Sequence, residues 1–236
     1  MTHPNHRDVA AFILAGGASS RMGKPKGLIK IGGQALLLRT ARMVDPLVSS
    51  VTVIGPANPY RRLGLSTIPD RIPGLPRVAA FQGPLAGIVT ALSASKSRWN
   101  LVLACDLPYL SRDWVEALLR RARRSDAQAF LPRTQGGLEP LAAVYRLDAR
   151  EKLADAFQEG VRKVTDALMR IPVETVRSSE LGDFEDAHRV LQNMNTPADL
   201  VAAEAWWNGK NPSNKTRVKA SRKKSRGRGA LRRSRR

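Results

Sequence analysis

Leu14-Ala15-Gly16-Gly17-Ala18-Ser19-Ser20-Arg21-Met22-Gly23-Lys24-Pro25-Lys26-Gly27 puts four glycines and three cations on one short stretch, directly after the apolar run Val9–Leu14. Glycine lets a backbone come close to a ligand, and exposed amides beside Arg21, Lys24 and Lys26 suit a polyphosphate. The plain alternative is a basic loop with ordinary turn glycines. Two familiar phosphate motifs are excluded by counting. A Walker loop needs four residues between its glycines and Ser/Thr after the lysine, whereas five separate Gly17 from Gly23 and Pro25 follows Lys24. The G-x-G-x-x-G spacing of a dinucleotide fold does not occur here.

A second chemical group, Asp106, ends the apolar run Leu101–Ala104. Open α/β sheets bind ligands at the carboxyl ends of their strands. A carboxylate beside a polyphosphate is repelled unless a cation lies between them, and Mg²⁺ typically takes one or two protein carboxylates with waters and phosphate oxygens. The alternative is an aspartate that shapes the turn before Pro108. Cys105 alternates to the other face and reads as buried. As the only cysteine it excludes an internal disulfide and a cysteine-rich zinc site. His3, His6 and His188 suggest no metal set.

The elements that must position these groups alternate between strand-like and helix-like. Val9–Leu14, Ser50–Ile54, Leu101–Ala104, Ala127–Leu131 and Leu141–Tyr145 read as strands, the first four apolar enough to be covered on both faces. Val115, Leu118, Leu119 and Ala122 fall at helical spacing behind a Ser111 cap, so a helix is expected over Ser111–Arg124. Thr196, Pro197 and Asp199 read as cap, first position and capping-box acid of a last helix ending near Trp206 and Trp207, with at least one tryptophan packed on the body. This pattern predicts an α/β, Rossmann-like three-layer fold with a mainly parallel sheet. Ile68–Gly83 reads as a long surface loop, a place where function is often found.

The 42% hydrophobic content is that of a globular chain, and no apolar run nears the roughly 18 to 20 residues of a membrane span. A polar N-terminus without signal-peptide features makes a cytoplasmic location the expectation. The net charge of +20 is unevenly spread. Residues 209–236 hold 13 of the 40 Lys/Arg and none of the 20 acidic residues, so the preceding 208 carry only +7. We therefore expect one domain over 1–208 and a disordered basic tail over 209–236. The tail could touch nucleic acid nonspecifically, but it has no aromatic residue to stack on bases.

The glycine segment also resembles the nucleotidyltransferases related to molybdenum cofactor guanylyltransferase. Leu14, Ala15, Gly16, Gly17, Ser19, Arg21, Met22 and Gly23 fit L-A-G-G-x-S-x-R-M-G, and Lys26 stands where the family has a later lysine. Gly83-Pro84-Leu85-Ala86-Gly87, Cys105-Asp106-Leu107-Pro108, Glu139-Pro140-Leu141, Gly160-Val161-Arg162-Lys163-Val164 and Asn193-Met194-Asn195-Thr196-Pro197 follow in the expected order, so the likeness spans about residues 9 to 207. It implies transfer of GMP from GTP to the phosphate of molybdopterin, with pyrophosphate released. Arg21 and Lys26 would be the cations, Leu14, Ala15, Gly16 and Gly17 the cradle, and Asp106 the Mg²⁺ ligand. Asp70 would bind nucleotide, although Arg71 could simply pair with it. Asn193 and Asn195 would contact the cofactor substrate, or merely shape the turn into the last helix. Arg162 and Lys163 could meet an anionic substrate, or lie on a solvated face. The family's asparagine after the second core strand has only a shifted counterpart in Asn58. Gly16-Gly17 and Pro84-Leu85-Ala86-Gly87 favour GTP over CTP. Rival readings are a cytidylyltransferase, a sugar- or alcohol-phosphate nucleotidyltransferase, and a nucleic-acid binder acting through the tail. Proteins that deliver the cofactor or accept it are expected partners.

Overall fold

The computed structural model describes residues 6–16, 25–71, 83–182, 184 and 188–210. Arg21 and Gly17, most of the long loop, and the tail beyond Lys210 lie outside the described residues.

The chain opens with β1 (His6–Leu14), then the hairpin β2 (Lys30–Ile31) and β3 (Gln34–Ala35), α1 (Leu36–Val44), β4 (Val48–Ile54), α2 (Ala57–Tyr60), β5 (Thr67–Ile68) and α3 (Pro84–Ala94). It continues through β6 (Trp99–Ala104), α4 (Arg112–Ala122), β7 (Ala129–Thr134), β8 (Gly137–Leu138), β9 (Ala142–Arg146), α5 (Arg150–Gln158) and α6 (Val164–Leu168). It closes with β10 (Val173–Arg177), α7 (Ser178–Leu181) and α8 (Pro197–Lys210). One eight-stranded sheet has the order β10-β7-β9-β6-β1-β4-β5, with β8 on β7. Pairing is parallel at β1 with β4 and β6, at β4 with β5 and at β10 with β7; β9 runs antiparallel between β6 and β7. The expected mainly parallel sheet is thus present; the fifth expected strand, β9, and the short β8 on β7 are its antiparallel members. Because β9 opposes both neighbours, β6 and β7 point the same way and end at one edge.

Alternation along β1 shows why its run is continuous. Ala10, Phe12 and Leu14 face a cluster with Leu85, Ile88 and Leu92 of α3 and Leu153 and Phe157 of α5. Val9 and Ala11 face the opposite cluster, with Trp114, Val115, Leu118 and Leu119 of α4. A strand covered on both faces has no polar face to show. The four apolar positions read from α4 are all fully buried, and Ser111 caps the helix by accepting from the Trp114 N–H at 3.4 Å. On the α3 side, Gly87 lies over Leu14: a Cβ there would stand 2.8 Å from Leu14 Cδ1, so a larger residue would force the Leu14 side chain to shift.

The β2–β3 hairpin was not legible in the hydrophobic pattern. Its turn, Gly32-Gly33, has φ of 59° and 83°, the left-handed pair that joins two short strands tightly. Ile31 and Leu36 bury with Tyr109, Met194 and Ala203, which seats α8 against the hairpin. Trp207 fulfils the expected packing: its Nε1 donates to Pro108 O at 2.9 Å and the Arg39 guanidinium lies 3.7 Å from its ring centroid. Trp206 packs edge-on against both Tyr109 and Trp207.

Candidate active site

Leu14 ends β1 in register with Ala104 of β6, and Ala15 and Gly16 follow it. Three bonds fix this strand end. The Ala15 N–H donates to Ile54 O at 2.8 Å, Leu14 O accepts from the Cys105 N–H at 3.1 Å, and the buried Tyr60 hydroxyl donates to Ala15 O at 2.9 Å. The cradle's floor is therefore anchored to β4, β6 and α2. Tyr60 carried no signal of this role, because a tyrosine at the end of a four-residue helix looks like any core aromatic.

Lys26 begins a tight turn closed by Leu28 N–H to Pro25 O and Ile29 N–H to Lys26 O. Its ammonium donates to Asp106 Oδ2 at 2.8 Å and to Asn195 Oδ1 at 2.6 Å. These partners lie 80 and 169 residues away in sequence, so the fold itself assembles the cluster. The side chains of Lys26 and Asp106 are 22% and 17% exposed, a half-sheltered pair at the carboxyl edge of the sheet. Low local dielectric makes such a pair stronger than a surface one, and leaves either partner costly to orphan.

Asn195 reaches the pair because its segment is stitched to the Asp106 turn. The Met194 N–H donates to Asp106 O at 2.9 Å while the Met194 side chain is fully buried. Alternation then leaves Asn193 and Asn195 exposed on either side. The turn into α8 is a complete capping box: Asp199 Oδ2 accepts from the Asn195 and Thr196 N–H groups, each at 2.8 Å, and Thr196 Oγ1 accepts from the Asp199 N–H at 3.2 Å. The Asn195 and Thr196 amides, with the Thr196 hydroxyl, hold the Asp199 carboxyl below the usual carboxylate range.

Asp70 stands elsewhere on the same edge, just past β5. Thr90 of α3 donates to its Oδ1 at 3.1 Å, and its buried Oδ2 has no partner among the described residues. Burial raises the Asp70 carboxyl, with the Thr90 bond offsetting this in part. The partner is thus Thr90 rather than Arg71. Glu139 is a second such carboxyl: burial raises it while Thr134 donates to it at 2.9 Å.

Three other expectations resolve plainly. Cys105 is buried and its thiol is pushed up to about 12, chiefly by burial and secondarily by the Asp106 charge, so it stays protonated and is no nucleophile. Arg162 folds back to donate to Phe157 O at 2.8 Å and lies 4.1 Å from that ring's centroid, which makes it a terminator of α5. Asn58 is exposed on α2.

The cluster can hold a nucleotide's phosphates by Lys26 and the Ala15–Gly16 backbone, with Asp106 as an oxygen ligand for a divalent ion. Among the described residues no three His, Cys, Asp or Glu side chains gather to hold a metal. Asp106 Oδ1 accepts no hydrogen bond among the described residues.

The MobA-like NTP transferase domain profile matches residues 11–172. A molybdenum cofactor guanylyltransferase of Pseudomonas putida is 34% identical over 80% of this chain and 94% of its own. The crystal structure of molybdopterin-guanine dinucleotide biosynthesis protein A from Archaeoglobus fulgidus superposes with a TM-score of 0.70 at 25% identity, covering 83% of this chain and 97% of that one. The 2-C-methyl-D-erythritol 4-phosphate cytidylyltransferase of Thermus thermophilus, at 22% identity and a TM-score of 0.61 over 85% of this chain and 98% of that one, shares the fold. With its glycine turn, lysine and strand-end aspartate all inside or beside the matched region, the chain belongs to the MobA-like NTP transferase family, a family of nucleotidyltransferases.

Proposed function

We propose that this chain is a molybdenum cofactor guanylyltransferase that transfers GMP from GTP to the phosphate of molybdopterin. The observation that carries the reading is the meeting of Lys26, Asp106 and Asn195 at 2.8 and 2.6 Å beside the anchored Ala15–Gly16 end of β1. An oxygen of the acceptor phosphate attacks the α-phosphorus of GTP, the bond from that phosphorus to the β-phosphate bridging oxygen breaks, and pyrophosphate leaves with the electron pair. Lys26 neutralises charge on the triphosphate, and the cradle amides fix its orientation before reaction. When bound, Mg²⁺ supplies further charge neutralisation and a geometric template, with Asp106 as its protein ligand. Asn195 keeps the Lys26 ammonium aimed and sits where an acceptor phosphate must approach. Arg21 is assigned as a second cation and Gly17 as part of the cradle.

Asp70 is assigned to the nucleoside end. Its strand, β5, is three places from β6 in the sheet, about 14 Å at the usual strand spacing, which suits a nucleotide laid along the edge. Its Oδ2, without a partner among the described residues, is an acceptor for N–H or O–H donors. Asn193 is assigned to the acceptor. The choice of guanine over cytosine rests on Gly16-Gly17 and on the Pro84–Gly87 segment.

Incubating the protein with each nucleoside triphosphate, Mg²⁺ and molybdopterin tests this. Pyrophosphate release with GTP alone is expected, and release with CTP alone would make it a cytidylyltransferase. Residues 1–208 are taken as the catalytic unit, with α8 running to Lys210, and the tail as dispensable for transfer. Deleting residues 211–236 should leave turnover intact and abolish any retention on DNA or RNA. Among the described residues no helix is long and apolar enough to cross a membrane. A cytoplasmic enzyme that receives its cofactor from one protein and passes it to another is the setting we propose.

A further inference from the structure

Two arginines lie side by side at the edge where the candidate site sits. Arg133 of β7 and Arg177 of β10 are register partners in a parallel pair, so their Cα atoms stand roughly one strand spacing, about 5 Å, apart. Both are exposed, and like charges placed directly opposite on neighbouring strands destabilise a sheet. Among the described residues no carboxylate forms an ion pair with either one. Two acids of the neighbouring described segments are otherwise engaged: Glu139 accepts from Thr134 Oγ1, and Glu180 accepts from the Arg177 backbone N–H at 2.7 Å. The arginines open onto a cavity of about 830 Å³ whose walls include Thr134, Gly136, Ser178 and His188. Two guanidinium groups with hydroxyl and backbone donors around them are the chemistry of an oxyanion site.

The place of this cavity relative to Asp106 gives it a meaning. β7 is two strands from β6 and points the same way, so the cavity lies about 10 Å along the edge from the Lys26 cluster, on the side away from Asp70. Residues 188–195 connect His188 on its wall to Asn195 at Lys26. An acceptor that meets the nucleotide at Lys26 and extends about 10 Å along this edge would reach the cavity. Resting on the guanylyltransferase reading, we propose that the Arg133–Arg177 cavity binds the anionic oxometal–dithiolene end of the molybdenum cofactor substrate, remote from its phosphate. The arginines are then kept adjacent, against their mutual repulsion, for a ligand.

The other basic cavity, at the opposite edge, is different. There Arg146 is tied to Asp148 at 2.6 Å and Arg98 lies over Trp99, so its charges are partly spent within the fold.

The test uses the full chain, with molybdate and inorganic phosphate as probes and hydrogen exchange as the readout. Molybdate should protect segments 133–136 and 177–179 in the unsubstituted protein, and Arg133→Gln/Arg177→Gln should weaken its binding at least tenfold. Protection confined to other segments, or unchanged affinity in the double variant, would overturn the site. Phosphate protecting these segments more strongly than molybdate would overturn the assignment of this end of the acceptor. Arg177→Gln alone should leave the melting temperature level or higher, since it relieves repulsion; a fall of several degrees would mark the arginine as structural and overturn the proposal. Mg²⁺-dependent GTP binding, measured on the same unsubstituted sample, reports separately on the guanylyltransferase reading.

Discussion

Asp106 and Asp70 both stand past the carboxyl ends of strands in one sheet, yet the fold treats them oppositely. Asp106 is met by an ammonium at 2.8 Å, and that ammonium is held by a third side chain. Asp70 is buried against one threonine, its Oδ2 has no partner among the described residues, and burial raises its carboxyl. The first is a charge already balanced, whose partner must be shared with an incoming polyphosphate and ion. The second is a charge kept poorly satisfied in the fold, the arrangement that costs stability and awaits a ligand's donors.

Breaking the balanced region should have the largest effect. Lys26→Ala and Asp106→Ala should each lower kcat by roughly 10²–10³ with the fold retained, since each removes a charge that acts on the reacting phosphates. Near-normal GMP transfer in either would reject the assignment. Asp70→Asn should act in the other direction on stability. Because the folded carboxyl is raised, its contribution to stability is fully present below the unfolded carboxylate range and is lost as pH rises through the folded value. The variant should therefore show a flatter dependence of melting temperature on pH, and no loss of stability at neutral pH, while KM for GTP rises about tenfold, the weight of one charge-assisted bond. A variant with the original pH dependence would show that Asp70 is not the poorly solvated group.

Smaller effects sharpen the contrast. Tyr60→Phe leaves Ala15 O without its buried donor and should cost about 1–3 kcal/mol in denaturant unfolding, with Lys26 and Asp106 untouched. Thr196→Ala removes one bond of the cap and should cost about 1 kcal/mol of stability. Through Asn195 it should lower turnover at the Asp106 region while leaving Asp70 unaffected.

Much of this was written locally in the chain. The buried strands announced themselves as short apolar runs, α4 by its spacing, and α8 by Thr196-Pro197-Asp199, because each depends on neighbours in sequence. Lys26 and Asp106 were identifiable as chemical groups from their motifs. Their contact was not, since it joins residues 80 apart, and neither was the role of Asn195, which rests on a backbone bond from Met194 to the Asp106 turn. Tyr60, Thr90 and the Arg133–Arg177 pair were silent for the same reason: a hydroxyl's buried partner and the register of two strands are properties of the folded sheet.

Calorimetric titration of GTP with and without Mg²⁺ into the unsubstituted protein and into Asp106→Ala tests the central claim most directly. GTP binding should tighten with Mg²⁺ in the unsubstituted protein. In the variant, the metal should give no gain, while metal-free binding strengthens as Lys26 is released to the phosphates. Absence of any magnesium-dependent association in the unsubstituted protein, or an equal gain from Mg²⁺ in both, would contradict the account.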